Sequence, residues 1–84
     1  MRLDKYLKVS RLIKRRTVAN EACDSDRVSV NGRTVKASYD VKIGDKIAVT
    51  FGQKTVTVRV LDIRETTKKT ESVGMYEVIS ETDA

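Results

Sequence analysis

Arg27-Val28-Ser29-Val30-Asn31-Gly32-Arg33-Thr34-Val35 is the stretch in which the hydrophobic period of the chain changes. Val28 and Val30 alternate with polar residues, as in a half-buried strand, and Val35 resumes the series beyond Asn31-Gly32. Asn-Gly is the dipeptide that best accommodates positive φ at both central positions of a two-residue hairpin turn. The stretch therefore predicts a tight hairpin, with helical patterning before it and alternating patterning after it.

Toward the N-terminus, Leu3 and Leu7 share one face of a helix while Arg2, Lys5 and Lys8 point elsewhere. Leu12 and Ile13 continue the apolar series in a different phase, which predicts a break or tight turn between about Ser10 and Arg16. Thr17 reads as the N-cap of a second helix from about Thr17 to Asp24, with Val18, Ala19, Ala22 and Cys23 as its buried stripe. Arg15 and Arg16 precede the entrance of that helix, and a helix N-terminus already favours anions. Asp24-Ser25-Asp26 reads as a turn, where Asp bonds its own backbone.

Toward the C-terminus, Ile43-Gly44-Asp45 is a second turn, and Ile47, Val49 and Phe51 form one face of a strand that ends at Gly52-Gln53. Val56, Val58 and Val60 supply the next strand. Thr66 to Gly74 has the composition of a polar loop, Met75 to Ile79 reads as a last strand, and Ser80 to Ala84 as a frayed acidic end. The expected fold class is α+β, with two short N-terminal helices followed by a small antiparallel β-sheet. One domain is expected over residues 1–80, with residues 81–84 as the frayed acidic C-terminus.

Composition narrows the chemistry. The 84 residues include 17 Lys and Arg, 12 Asp and Glu, one Cys and no His, Trp or Pro. A small core leaves little room for a deep metabolite pocket. Without His, and with Cys23 alone, the usual zinc-ligand sets and the Ser-His-Asp and Cys-His pairs cannot be assembled, so no cofactor, metal or nucleophilic catalysis is expected. Cys23 reads as core packing in a reducing compartment. No apolar run approaches the ~18 residues of a membrane span, which points to a cytoplasmic protein with no membrane partner.

Charge is unevenly spread. Residues 1–16 hold seven bases, Arg2, Lys5, Lys8, Arg11, Lys14, Arg15 and Arg16, against the single acid Asp4, a net +6 that exceeds the +5 of the whole chain. Residues 70–84 hold four acids and no base. Ordinary surfaces intersperse both signs, so the segregated basic segment reads as a polyanion-binding face.

Three pieces carry a family resemblance: Arg2-Leu3-Asp4-Lys5-Tyr6-Leu7, then Val28-Ser29-Val30-Asn31-Gly32, then Val41-Lys42-Ile43-Gly44-Asp45. In order and spacing they resemble the S-four RNA-binding domain, or alpha-L motif, over residues 2 to about 51. Arg11 to Thr17, Phe51-Gly52-Gln53-Lys54, Thr66-Thr67-Lys68-Lys69 and Met75-Tyr76 look like the short stand-alone members from Gram-positive bacteria. The likeness implies a role in ribosome-associated quality control. Such proteins bind the rRNA of a large ribosomal subunit blocked by peptidyl-tRNA, and support C-terminal tailing by a partner factor. A small heat-shock protein that binds large subunits with stalled nascent chains is similar, less closely. Many family members place Gly between the second helix and the hairpin, where this chain has Asp24-Ser25-Asp26. Asp also visits the left-handed conformation, so the turn survives.

The candidate RNA-binding residues are Arg2, Asp4, Lys5, Lys8, Arg11, Lys14, Arg15, Arg16, Arg33 and Lys36. Arg grips phosphate bidentately and Lys acts as a mobile point charge. Asp4 either orients Arg2, Lys8 or a neighbouring guanidinium, or only neutralises the first helical turn. Arg33 and Lys36 either extend the basic face or are solvated, and the resemblance favours Lys36. Tyr6 and Tyr39 read as packing residues rather than base-stacking ones. Lys68 and Lys69 read as solvated. Two competing functions remain: a nucleic-acid module with no ribosomal role, and an enzyme fragment, for which no catalytic domain follows. Monomer is the default.

Overall fold

Leu3, Tyr6 and Leu7 are wholly buried and form the inner face of the first helix, α1 (Leu3–Val9). Burying a side chain of this size contributes about 1.5–3 kcal/mol. The computed structural model describes residues 1–64 and 74–83. The loop expected from Thr66, with Lys68 and Lys69, lies outside the described residues up to position 73.

Beyond Ser10 the chain turns through Arg11 at φ 64°, and the Ile13 amide donates to Leu7 O at 3.0 Å, folding Ile13 back over α1. This is the expected break. The second helix, α2, runs Arg16–Asp24, so it begins one residue before Thr17. Thr17 is not its N-cap: extended Arg15 takes that place without a side-chain hydrogen bond. At the other end Asp26 (φ 59°) donates to Cys23 O at 3.2 Å, and Arg27 donates to Ala22 O at 2.9 Å. That is a Schellman closure with Asp where Gly is usual.

The strands are β1 (Val28–Val30), β2 (Arg33–Thr34), β3 (Lys46–Phe51), β4 (Lys54–Val60) and β5 (Tyr76–Asp83). They pair antiparallel in the order β2-β1-β3-β4-β5. Asn31 (φ 53°) and Gly32 (φ 83°) adopt the positive φ the hairpin required. Asn31 is pinned there: its Nδ2 donates to Asp45 at 3.1 Å and its Oδ1 accepts from the Lys46 amide at 3.0 Å. The Tyr39 hydroxyl donates to the same Asp45 carboxylate at 3.0 Å, and Tyr6 OH donates to Met75 O at 2.7 Å. Both tyrosines are thus engaged in the fold, as expected.

The acidic end departs from expectation. Residues 81–83 continue β5 rather than fraying, with Glu81 opposite Val56 and Asp83 opposite Lys54. Sequence patterning misses this because the segment lacks alternation. Backbone pairing with β4 and an ion pair between Glu81 and Lys54 Nζ at 3.2 Å hold it instead.

Alternating residues of the strands complete the core under the helices: Val28, Val30, Ile47, Val49, Val58 and Val60 join Leu3, Tyr6, Leu7, Ala19, Cys23 and Met75. The N-terminal residues are anchored beside this core. The Leu3 amide donates to Tyr39 O at 2.8 Å and the Asp4 amide to Ala37 O at 3.2 Å, which fixes where α1 starts. No helix among the described residues is long and apolar enough to cross a membrane.

Candidate nucleic-acid interface

Asp4 organises the basic segment. Its carboxylate is almost fully buried at the start of α1, where the Lys5 amide donates to Oδ1 at 2.8 Å. Arg2 Nε, from the residue just before the helix, donates to Oδ1 at 3.2 Å. Arg16 Nε, from the first turn of α2, stands 3.5 Å from Oδ2, and Asn20 Nδ2 donates to Oδ2 at 3.3 Å. One acid thus ties the N-cap of α1 to the first two turns of α2.

Burial works to raise the Asp4 pKa. Hydrogen bonds from Asn20, Arg2 and the Lys5 amide, with the Arg16 charge, outweigh it and hold the carboxyl below its ordinary 3.8. The acid is ionised at neutral pH. Both arginine side chains are about half exposed, at 51% for Arg2 and 49% for Arg16. The buried anion engages Arg2 through both Nε and one terminal nitrogen, the latter at 3.4 Å from Oδ2, and Arg16 through Nε, while both side chains stay half exposed, an arrangement suited to contact with phosphate.

The structure brings Arg2, Asp4 and Arg16 into one cluster. Lys36 lies next to it in the chain path, since the neighbouring Ala37 carbonyl accepts from the Asp4 amide. Lys5 and Lys8 stand on α1, and Arg11, Lys14 and Arg15 lie along the connection to α2; all are exposed except the half-buried Lys5. Arg33 lies in the edge strand β2, and among the described residues no hydrogen bond or ion pair joins it to the Asp4 cluster. The two readings of Asp4 are thereby separated: it holds Arg2 and Arg16.

Sequence reasoning did not single out Asn20. It stands four residues after Arg16, on the same face of α2, and that spacing was the available signal. Among the described residues no group of three or more His, Cys, Asp or Glu could hold a metal ion.

Comparison with known proteins bears on this geometry. The model of the S4 domain matches residues 1–47, the span from α1 into β3 that contains the whole Asp4 cluster. The RQC P-site tRNA stabilizing factor of Bacillus subtilis is 59% identical over 81 residues, covering 96% of this chain and 94% of that protein. The chain belongs to this S4 domain family. Within it, the RQC P-site tRNA stabilizing factor of Streptococcus pneumoniae is 56% identical over 82 residues, covering 98% of this chain and 93% of the relative. Among solved structures, the trimeric heat shock protein 15 of Vibrio cholerae superposes with a TM-score of 0.88 at 28% identity, over 95% of this chain and 82% of that one. The S4 match stops in β3, yet the buried Val58, Val60 and Met75 lie beyond it, so the domain of this chain is closed by strands outside the matched span.

Proposed function

We propose that the protein is a non-catalytic factor of ribosome-associated quality control, which binds rRNA of the large ribosomal subunit and the peptidyl-tRNA that blocks it. The observation that carries this reading is the Asp4-centred pair of arginines in a chain 59% identical to a protein named for stabilising P-site tRNA. Arg2 and Arg16 take phosphate oxygens, and Lys5, Lys8, Arg11, Lys14, Arg15, Arg33 and Lys36 supply a surrounding positive field. Such contacts set position and orientation on RNA, which is what holding a tRNA in place demands. By doing so the protein supports C-terminal tailing of the nascent chain by a partner factor, acting as a monomer in the cytoplasm.

The test is crosslinking with sequencing of the bound RNA, alongside sucrose-gradient fractionation of cell extracts. Sedimentation with large subunits and crosslinks to both rRNA and tRNA are expected. Crosslinks to rRNA alone would favour the heat-shock-type reading suggested by the Vibrio cholerae structure. Absence from the ribosome with crosslinks to unrelated RNAs would replace the proposal with a general RNA-binding module.

A further inference from the structure

An open depression of ≈ 400 Å³ lies beside the arginine pair, lined by Asp4, Arg16, Thr17, Asn20 and Glu21. Seats for small ligands typically measure about 300–1,000 Å³. The two acids in it differ. Asp4 is buried with both oxygens engaged. Glu21 is exposed, and among the described residues its carboxylate joins no ion pair or hydrogen bond.

An unengaged carboxylate beside a phosphate-gripping surface weakens binding by repulsion unless the group it meets is a hydrogen-bond donor. The neighbouring side chains match such a group. Asn20 uses Nδ2 on Asp4, which leaves Oδ1 as an acceptor. Thr17 stands four residues before Glu21 on the same helical face and offers a hydroxyl that donates or accepts. Arg16 adds a guanidinium plane of the kind on which unpaired bases stack. Acceptors beside a donor, next to a stacking plane, are the edge-reading chemistry of a nucleobase rather than of a backbone.

Resting on the RNA-binding reading above, we propose that this depression seats one unpaired nucleobase, with Glu21 and Asn20 Oδ1 accepting from its exocyclic amino group. Adenine, cytosine and guanine carry that donor. Uracil lacks that amino group, and its single edge donor, N3–H, is flanked by two carbonyl oxygens that a carboxylate repels. Arg2 and Arg16 set the register on the backbone, and Glu21 selects what is presented there.

The test uses the full chain and synthetic RNA hairpins of one length, carrying a single bulged A, C, G, U or abasic nucleotide, or none, with affinity read by fluorescence anisotropy. The amino-bearing bulges are expected to bind about fivefold or more tighter than the U or abasic ones. Glu21→Ala, an exposed change to the best helix former, is expected to erase that preference while binding the fully paired hairpin at least as well as the parent chain does. Equal binding to all bulges, or a preference that survives Glu21→Ala, overturns the inference and leaves the RNA-binding reading intact. Absence of saturable binding to every hairpin overturns both.

Discussion

The Asp4 carboxylate, buried at the start of α1, stands 3.5 Å from Nε of Arg16, the first residue of α2. The pair spans the non-helical connection that carries Arg11, Lys14 and Arg15. It therefore sets the spacing of the two helices as well as the aim of one guanidinium. A surface ion pair contributes little, about 0–1 kcal/mol, because water competes on both sides. Here the acid is dry and multiply hydrogen-bonded, so its removal is felt by the fold and by the arginines together.

Asp4→Ala is expected to cost about 1–2 kcal/mol in stability, the value of the hydrogen bonds lost at the helix start. Affinity for RNA is expected to fall about 3- to 10-fold although the chain gains one positive charge, because Arg2 and Arg16 lose their fixed orientation. Urea denaturation and anisotropy measure the two effects. An affinity that rises would show that net charge rather than aim governs binding.

Arg16→Ala removes a half-exposed cation and leaves the core untouched, so its circular dichroism should match that of the parent chain. Co-sedimentation with large subunits is expected to be lost or sharply weakened. The slope of log K against log salt should become shallower by about 0.7–0.9 if the residue neutralises one phosphate. Unchanged co-sedimentation from a normally folded variant would remove Arg16 from the interface.

Asp26→Gly is expected to stabilise the protein by about 0.5–1 kcal/mol, since Gly occupies the left-handed closure of α2 without steric strain. Thermal unfolding gives the answer directly, and a lower midpoint would mean that the Asp26 side chain holds the turn by some contact of its own.

Acid should destabilise the protein through Asp4. Its folded pKa lies below the ordinary 3.8, so its contribution is complete above the unfolded value and is lost as pH falls through the folded one. Asp40, hydrogen-bonded to the N-terminal amine, and Asp62, hydrogen-bonded to Arg64, are lowered as well and act in the same sense. Urea midpoints are expected to fall between about pH 5 and pH 2. Asp4→Asn should flatten part of that profile, and equal steepness in the two proteins would contradict the assignment.

Cys23 should be inert in the native state. It is 2% exposed, and burial, with help from the Asp4 and Asp24 charges, pushes its thiol up to about 11. Thiol titration with an aromatic disulfide at pH 8 should be slower by about 100-fold or more in buffer than in urea, because the thiolate is the reacting form. Rapid native labelling would reveal local opening of α2.

The parts of the fold that were legible in the sequence are those where local chemistry decides the outcome. Asn31-Gly32 demands positive φ at both residues and obtains it, and the valines of β1, β3 and β4 alternate because one face is buried. Tertiary contacts decided the rest. Thr17 has the chemistry of a cap, but α2 starts earlier, at Arg16, whose guanidinium meets Asp4. Residues 81–83 have no pattern of their own and become a strand only because β4 offers them an edge. At the site, the basic residues could be read off directly. Asn20 had only its spacing from Arg16 as a signal, which acquires meaning once Asp4 is known to be its acceptor.

The hydrogen bond from Tyr6 OH to Met75 O joins residues 69 positions apart and ties α1 to the segment that enters the last strand. Contacts so distant in sequence slow folding, since the intervening chain must be gathered before they form. During synthesis, the basic helices leave the exit tunnel first and cannot be clamped until Met75 has followed. Until then Leu3, Tyr6 and Leu7 lack their full cover, so α1, although made early, becomes rigid only once the segment at Met75 has been made.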